Sequence, residues 1–158
     1  SLLTEVDLVP LTRGVVELVE PTAKHTQVQL TLQLPESPLI ATVDADGLRA
    51  ALSNLLLNAC EAAGPGGTVG CRLSANATEM TWEIRDTGSG PPEVIAADLA
   101  TPFVTGKPDG VGLGLAFARQ LAEDHQGRLE WSRENDETCF RWVLPRSRGD
   151  VPPMKDFK

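Results

Sequence analysis

Asn54 and Asn58, in the run Ser53-Asn54-Leu55-Leu56-Leu57-Asn58-Ala59-Cys60-Glu61, lie four residues apart in an otherwise apolar stretch, so a helix stacks them on one face. Glu61, three residues further on, falls on the same side. One reading makes these three the wet face of the helix and nothing more. Burying a side-chain amide without a partner costs roughly 1–3 kcal/mol, so two amides and a carboxylate beside so many leucines also suit a second reading. An oxygen-lined face can supply one ligand to Mg²⁺, an ion that keeps several waters and fills its shell from phosphates.

A second group is Asp86-Thr87-Gly88-Ser89-Gly90, placed where a strand ends. Alone it reads as a capped turn with two glycines at positive φ. It also reads as a base site, in which Asp86 accepts from an amino group while Gly88 and Gly90 let the backbone approach a flat ring. The third group, Gly110-Val111-Gly112-Leu113-Gly114-Leu115, opens a helix. Glycines at alternate positions beside free helix N–H groups make a phosphate cradle. The pattern differs from the dinucleotide fingerprint, because no strand leads directly into it and the third glycine is displaced. Gly106-Lys107-Pro108 does not fit G-x-x-x-x-G-K-[ST], which removes P-loop chemistry.

The elements that must hold these groups follow from periodicity. Val15, Val16, Leu18 and Val19 predict a helix over about 10–24, and Val28, Leu30, Leu32 and Leu34 alternate with polar residues as a half-buried strand. Leu39 to Val43 reads as a second strand, and Asp44 or Asp46 caps a helix over about 46–63 that stops at Gly64-Pro65-Gly66-Gly67. Strands at about 68–76 and 79–86 follow, joined by a tight turn near Asn76-Ala77-Thr78. Residues 86–112 form a long loop with one helical turn around Glu93–Leu99. A helix ending near Gly127 and a hairpin from Arg128–Arg133 to Thr138–Leu144 complete the order. Helices and strands in this order predict a sandwich with one mostly antiparallel sheet, covered on a single face, rather than a doubly wound sheet.

The chain is one domain's worth at 158 residues, and no run approaches the roughly 18 apolar residues of a membrane span. With 22 acidic against 14 basic residues its net charge is -8, which disfavours a nucleic-acid surface but leaves room for a small anion held by backbone N–H groups. Cys60, Cys71 and Cys139 show no C-x-x-C pair and read as buried reduced thiols. Trp82, Trp131 and Trp142 lie in strands and are expected to pack the sheet. The N-terminus shows no signal segment and begins abruptly at Ser1-Leu2-Leu3, as an excised fragment would, and the cytoplasm is the expected compartment. Residues 1–145 are taken as the domain and 146–158, with Pro152-Pro153, as a disordered tail or linker.

In this order and spacing the motifs resemble the catalytic, ATP-binding domain of sensor histidine kinases, within the superfamily that includes gyrase, heat-shock chaperone and mismatch-repair ATPases. The resemblance runs from about Val6 to Pro145. It rests on an N box around Asn54–Ala59, a first glycine box at Asp86–Gly90, an F box Thr101-Pro102-Phe103-Val104-Thr105-Gly106-Lys107-Pro108, and a second glycine box at Gly110–Leu115. It implies the Bergerat fold, an α+β two-layer sandwich with a mixed, mostly antiparallel sheet of about five strands covered on one face by about three helices.

The same resemblance implies ATP and Mg²⁺ as cofactors. Asn58 would be the metal ligand, Asn54 a polar group facing the phosphates, and Lys107 a third catalytic candidate reaching the phosphates from a mobile lid that also carries Phe103 and Thr105. Glu61 and Ala62 would line the nucleotide, Asp86 would accept from the adenine amino group, and Gly88 and Gly90 would lie beneath the ring. Gly110, Val111, Gly112, Leu113, Gly114 and Leu115 would wrap the triphosphate, and Thr138 would support Asp86 through water. For the lid residues a bland reading stands beside this one, with Phe103 a docking anchor and Lys107 solvated.

Members that hydrolyse ATP place a Glu one turn before the metal Asn, where this chain has Asn54, so the resemblance favours a kinase over an ATPase. A non-catalytic interaction domain is the remaining alternative. Many histidine kinases carry a basic residue where this chain has Glu61. Neither His25, followed by Thr26, nor His125, followed by Gln126, fits the family's phosphoacceptor pattern. The partners implied are a histidine-bearing dimerisation domain of the same protein and a response regulator, with a monomeric isolated domain, a homodimeric full-length protein and no direct membrane contact by this chain. The parent would be soluble or membrane-anchored.

Overall fold

The computed structural model describes residues 3–90 and 111–146. Their order is β1 (Thr4–Asp7), α1 (Leu8–His25), β2 (Gln29–Gln33), β3 (Ile40–Val43), α2 (Ala45–Ala63), β4 (Thr68–Ala75), β5 (Glu79–Asp86), α3 (Val111–Asp124), β6 (Arg128–Glu134) and β7 (Glu137–Pro145). The helical turn expected around Glu93–Leu99, together with Phe103, Thr105, Lys107, Gly110 and the tail beyond Arg146, lies outside the described residues.

Local chemistry sets the element boundaries. Asp7 caps α1 by accepting from Val9 N at 3.0 Å, and the same Oδ1 accepts from Leu39 N at 3.1 Å. That cap starts α1 two residues earlier than the apolar periodicity suggests. Asp44 caps α2, accepting from Gly47 N at 3.1 Å. Both α1 and α3 end with a glutamine in the left-handed region, Gln27 at φ 62° and Gln126 at φ 64°. Paired backbone bonds close each end, Val28 N to Ala23 O with Gln27 N to Lys24 O, and Gly127 N to Ala122 O with Gln126 N to Glu123 O. Gly127 is needed for another reason, since a side chain there would run into the Val143 carbonyl.

Five strands form the main sheet in the order β2-β4-β5-β7-β6. β2 runs parallel to β4, and the other neighbours are antiparallel. β1 and β3 make a separate antiparallel pair, with Val6 opposite Ala41. β1 is an element the periodicity did not reveal. The expected α+β sandwich is present, with all three described helices on one face of the sheet.

The core lies between those layers. Strict alternation along β5 buries Met80, Trp82, Ile84 and Asp86 on the helix side. Trp82 and Trp142 face one another across β5 and β7 with ring centroids 5.1 Å apart. Their indole N–H groups donate to Thr12 Oγ1 at 2.9 Å and to the Ala118 carbonyl at 2.8 Å, which ties the pair to α1 and α3. Cys60, Cys71 and Cys139 are all free and buried, as expected. Trp131 is only half-buried.

The opposite face of the sheet is open and charged. Glu83 accepts from Arg85 at 3.0 Å and Arg141 at 3.2 Å, and Glu134 meets both arginines at 3.4 Å. Arg146, assigned to the tail by composition, is anchored instead, with its N–H on Thr78 O at 2.8 Å and its guanidinium on Asn76 O at 2.8 Å. Among the described residues no helix is long and apolar enough to cross a membrane.

Candidate functional site

α2 is the beam of the site. Leu48, Leu52, Leu55, Leu56 and Ala59 anchor its buried side, which turns Asn54 and Asn58 toward α3. Gly114 lies against them, so that a Cβ on it would come within 3.3 Å of Asn58 Nδ2 and 3.6 Å of Asn54 Cβ. The third glycine of the second glycine box and the two N-box amides are therefore brought together. Leu115 is buried beside them, and Val111, Gly112 and Leu113 form the first turn of α3.

Asn58 Nδ2 is buried with no hydrogen-bond partner. An orphaned N–H₂ donor of this kind is what an incoming acceptor, such as a ligand or water oxygen, would satisfy. Among the described residues no three His, Cys, Asp or Glu side chains cluster to hold a metal ion. The amide oxygens of Asn54 and Asn58 are donors that suit a cation taking most of its shell from water and phosphate. They are of a kind that Mg²⁺ would accept.

One turn beyond Asn58, the exit of α2 meets the end of β5. Gly88 packs so closely on the Ala62 carbonyl that any side chain there would collide with it. Thr87 closes the turn, donating its N–H to Thr68 O at 3.2 Å and accepting from Thr68 N at 2.9 Å. Asp86 is 2% exposed, and its Oδ1 accepts from Gly88 N at 2.9 Å. Burial pushes its carboxyl above the ordinary aspartate range; the Gly88 N–H and the Arg133 charge oppose that shift, and Glu137 adds to it. The nearby Cys60 thiol is pushed up first by burial and then by Asp86 itself.

Thr138 is directly opposite Asp86 in the register of β5 and β7, and is 2% exposed. Its hydroxyl accepts from Arg133 Nη1 at 2.8 Å, and the same Nη1 donates to the Gly88 carbonyl at 2.6 Å. Gly90, at φ 95°, sits beneath this guanidinium, where a Cβ would meet Arg133 Cδ at 3.2 Å. Arg133 escaped the motif reading. Its signal was in the strand pattern, because alternation in β6 puts Leu129, Trp131 and Arg133 on one face, where the arginine is the odd member.

Asp86, Gly88, Gly90, Ala62 and Thr138 thus form one end of the site, and Asn54, Asn58 and Gly114 the other. Eight residues of α2 separate Asn54 from Ala62, about 12 Å at helical rise. Glu61 lies on the solvent side of this stretch.

The sequence profile of the histidine kinase-, DNA gyrase B-, and HSP90-like ATPases matches residues 43–148. The sensor histidine kinase ZraS of Escherichia coli (strain K12) is 32% identical over 148 residues, covering 90% of this chain and 31% of that protein. Among solved structures, the catalytic domain of histidine kinase ThkA superposes with a TM-score of 0.84 at 26% identity, covering 94% of this chain and 99% of that one. Full-length ShkA in complex with AMPPNP gives 0.79 at 27% identity, covering 92% of this chain and 31% of that one. The chain spans about a third of the length of the curated relative it matches.

Proposed function

The chain belongs to the histidine kinase-, DNA gyrase B-, and HSP90-like ATPase family, and from that membership we propose that it is the ATP-binding catalytic domain of a sensor protein-histidine kinase. It binds Mg-ATP and presents the γ-phosphoryl to a histidine on a dimerisation domain that this sequence does not include. A response regulator then takes the phosphoryl group. The full-length protein works as a homodimer with this domain in the cytoplasm.

The observation that carries the reading is the pairing of two different ends on one helix. Asn58, with its unpartnered buried amide, faces Gly114 at one end, and buried Asp86 waits at the other. Asp86 accepts from an amino group on the base, and the bare Gly88 and Gly90 backbone leaves room for the ring. The first N–H groups of α3 point at the phosphates and hold them with the helix dipole. Asn58 holds the cation. Mg²⁺ bound there would neutralise charge on the phosphate oxygens.

The acceptor imidazole brings its own nucleophilic nitrogen, so a P–N bond forms as the bond to ADP breaks and ADP leaves with the electron pair. Asn54 stands where a general base would act on water, and an amide cannot take a proton there. That supports transfer over hydrolysis. His125 is unsuited as acceptor, since Nε2 accepts from Asp44 N at 3.1 Å and Nδ1 lies 2.8 Å from Leu121 O.

Calorimetric titration with ATP, with and without Mg²⁺, while ADP release is followed, tests the reading. Binding strengthened by Mg²⁺, negligible turnover, and loss of the Mg²⁺ effect in Asn58→Ala are expected. Sustained ADP release would move the chain to the ATPases of the same family. No binding at all would overturn the nucleotide reading.

A further inference from the structure

We propose that Arg133 is a positioning residue for base recognition, a clamp that fixes the Asp86–Gly88 turn from the neighbouring hairpin; this deepens the nucleotide-binding reading above and rests on it. The hairpin between β6 and β7 turns in two residues, Asn135 at φ 52° and Asp136 at φ 63°, the left-handed pair that a tight two-residue turn requires. Asn and Asp tolerate that conformation better than other residues with a Cβ. So short a turn leaves no slack in register. It sets Glu134 opposite Glu137 and Arg133 opposite Thr138.

The next strand continues the row, because Thr138 is opposite Asp86. Three adjacent strands therefore bring a cation, a hydroxyl and a carboxylate to the same level of the sheet. From there Arg133 Nη1 reaches both the Gly88 carbonyl and Thr138 Oγ1, at 2.6 and 2.8 Å. Gly88 passes the constraint on through its N–H, which donates to Asp86 Oδ1 at 2.9 Å. The peptide gripped on its carbonyl side by Arg133 is thus adjacent to the N–H that orients the recognition carboxylate.

Charge reinforces the geometry. The charges acting on Asp86 are Arg133 from β6 and, from the other face of the sheet, Glu137 of β7, with the Cys60 thiol of α2 also coupled to it, and Arg133 is the cation among them. It holds the carboxyl closer to its ordinary range, against burial. Removing it both loosens the turn and favours the protonated acid, which accepts poorly from an amino group. A residue that only packed the strand would do neither.

The test compares the whole 158-residue chain with Arg133→Ala, Arg133→Lys and Arg128→Ala, a control on the outer face of the same strand. Three readouts are taken: affinity for ADP and GDP, the pH dependence of ADP binding, and amide hydrogen exchange at Gly88 without ligand. In Arg133→Ala, ADP binding is expected to weaken roughly tenfold, as for loss of a charge-assisted contact. Its preference over GDP should narrow, the acid midpoint of binding should move to higher pH, and Gly88 should exchange faster. Arg133→Lys, which keeps a charge and a donor, should recover most of the pH midpoint and part of the affinity, with Arg128→Ala matching the parent.

Unchanged Gly88 exchange with an unchanged pH midpoint in Arg133→Ala would overturn the clamp. Equal effects from Arg128→Ala would overturn it too, by assigning the loss to the strand as a whole. If the parent chain bound neither nucleotide, the function reading would fall and base recognition with it, whereas Gly88 exchange would still decide whether Arg133 holds the turn.

Discussion

Asp86, the residue proposed to recognise the base, works against the fold that carries it. Its pKa is raised in the folded chain, chiefly by burial. The protonated acid is therefore the form the fold favours, and this contribution is fully present below the ordinary aspartate range and lost as pH rises through the folded value. Above the folded value the ionised carboxylate is a burden on stability. Asp86→Asn keeps an oxygen to accept from Gly88 N–H and removes the charge. It should melt no lower than the parent at pH 8, gain relative to the parent between pH 3 and pH 8, and still lose ADP affinity. Thermal unfolding at the two pH values beside a titration checks this, and a variant that lost ground with rising pH would refute the account.

At the scale of elements, the two glutamine-ended helices give a separate expectation. Gln27 and Gln126 are exposed and hold positive φ, where a Cβ is strained, so glycine loses no packing there. Gln27→Gly and Gln126→Gly should each stabilise by about 1 kcal/mol, read as a higher urea midpoint with an unchanged slope. A lower midpoint at either position would mean that the glutamine side chain, not the backbone, closes the helix.

The same scale explains what the sequence made legible. α2 and α3, both hairpins and the Asp44 cap follow from local signals, namely long apolar periodicity, Gly-Pro stops and turn residues. β1 was missed because Thr4-Glu5-Val6-Asp7 is four residues long and gains its identity only by pairing with β3. α1 outran its expected start because Asp7 serves two N–H groups 30 residues apart, Val9 and Leu39. Its passage through Pro21 shows packing by Val15, Val16, Val19 and Ala23 outweighing a proline's missing donor. Within the site, Asn54, Asn58, Asp86 and Gly88 could be found by type and spacing. Arg133 stood out only as the odd member of an apolar strand face, and its role depends on which hairpin edge meets β5, a long-range choice that the strand pattern does not encode.

For the molecule as a whole, the sheet divides two environments that treat cysteine alike by different means. Cys71 sits in the core, where burial pushes its thiol up to about 12. Cys139 lies opposite Arg85 and beside Glu83, Arg141 and Glu134, fully covered, and burial first, then the Glu83 charge, takes it to about 11. Neither forms a thiolate near pH 8, and thiolate is the reacting form. Iodoacetamide at pH 8 should label no cysteine in the native chain and all three in urea, counted by mass. A native adduct on Cys139 would mean that the charged face opens far more readily than its ion pairs suggest.

The tryptophan pair gives the molecule an optical reporter. At 5.1 Å and an interplanar angle of 49°, two indoles have transition dipoles close enough to couple, so Trp82 and Trp142 should produce a paired positive and negative band in the circular dichroism spectrum. One indole is bonded to the backbone of α3, the helix whose first turn is proposed to hold the phosphates. Any tilt of that helix on loading the nucleotide would pull on Trp142 and change the sign-paired signal, reading occupancy of a distant pocket without a dye, a label or a coupled assay.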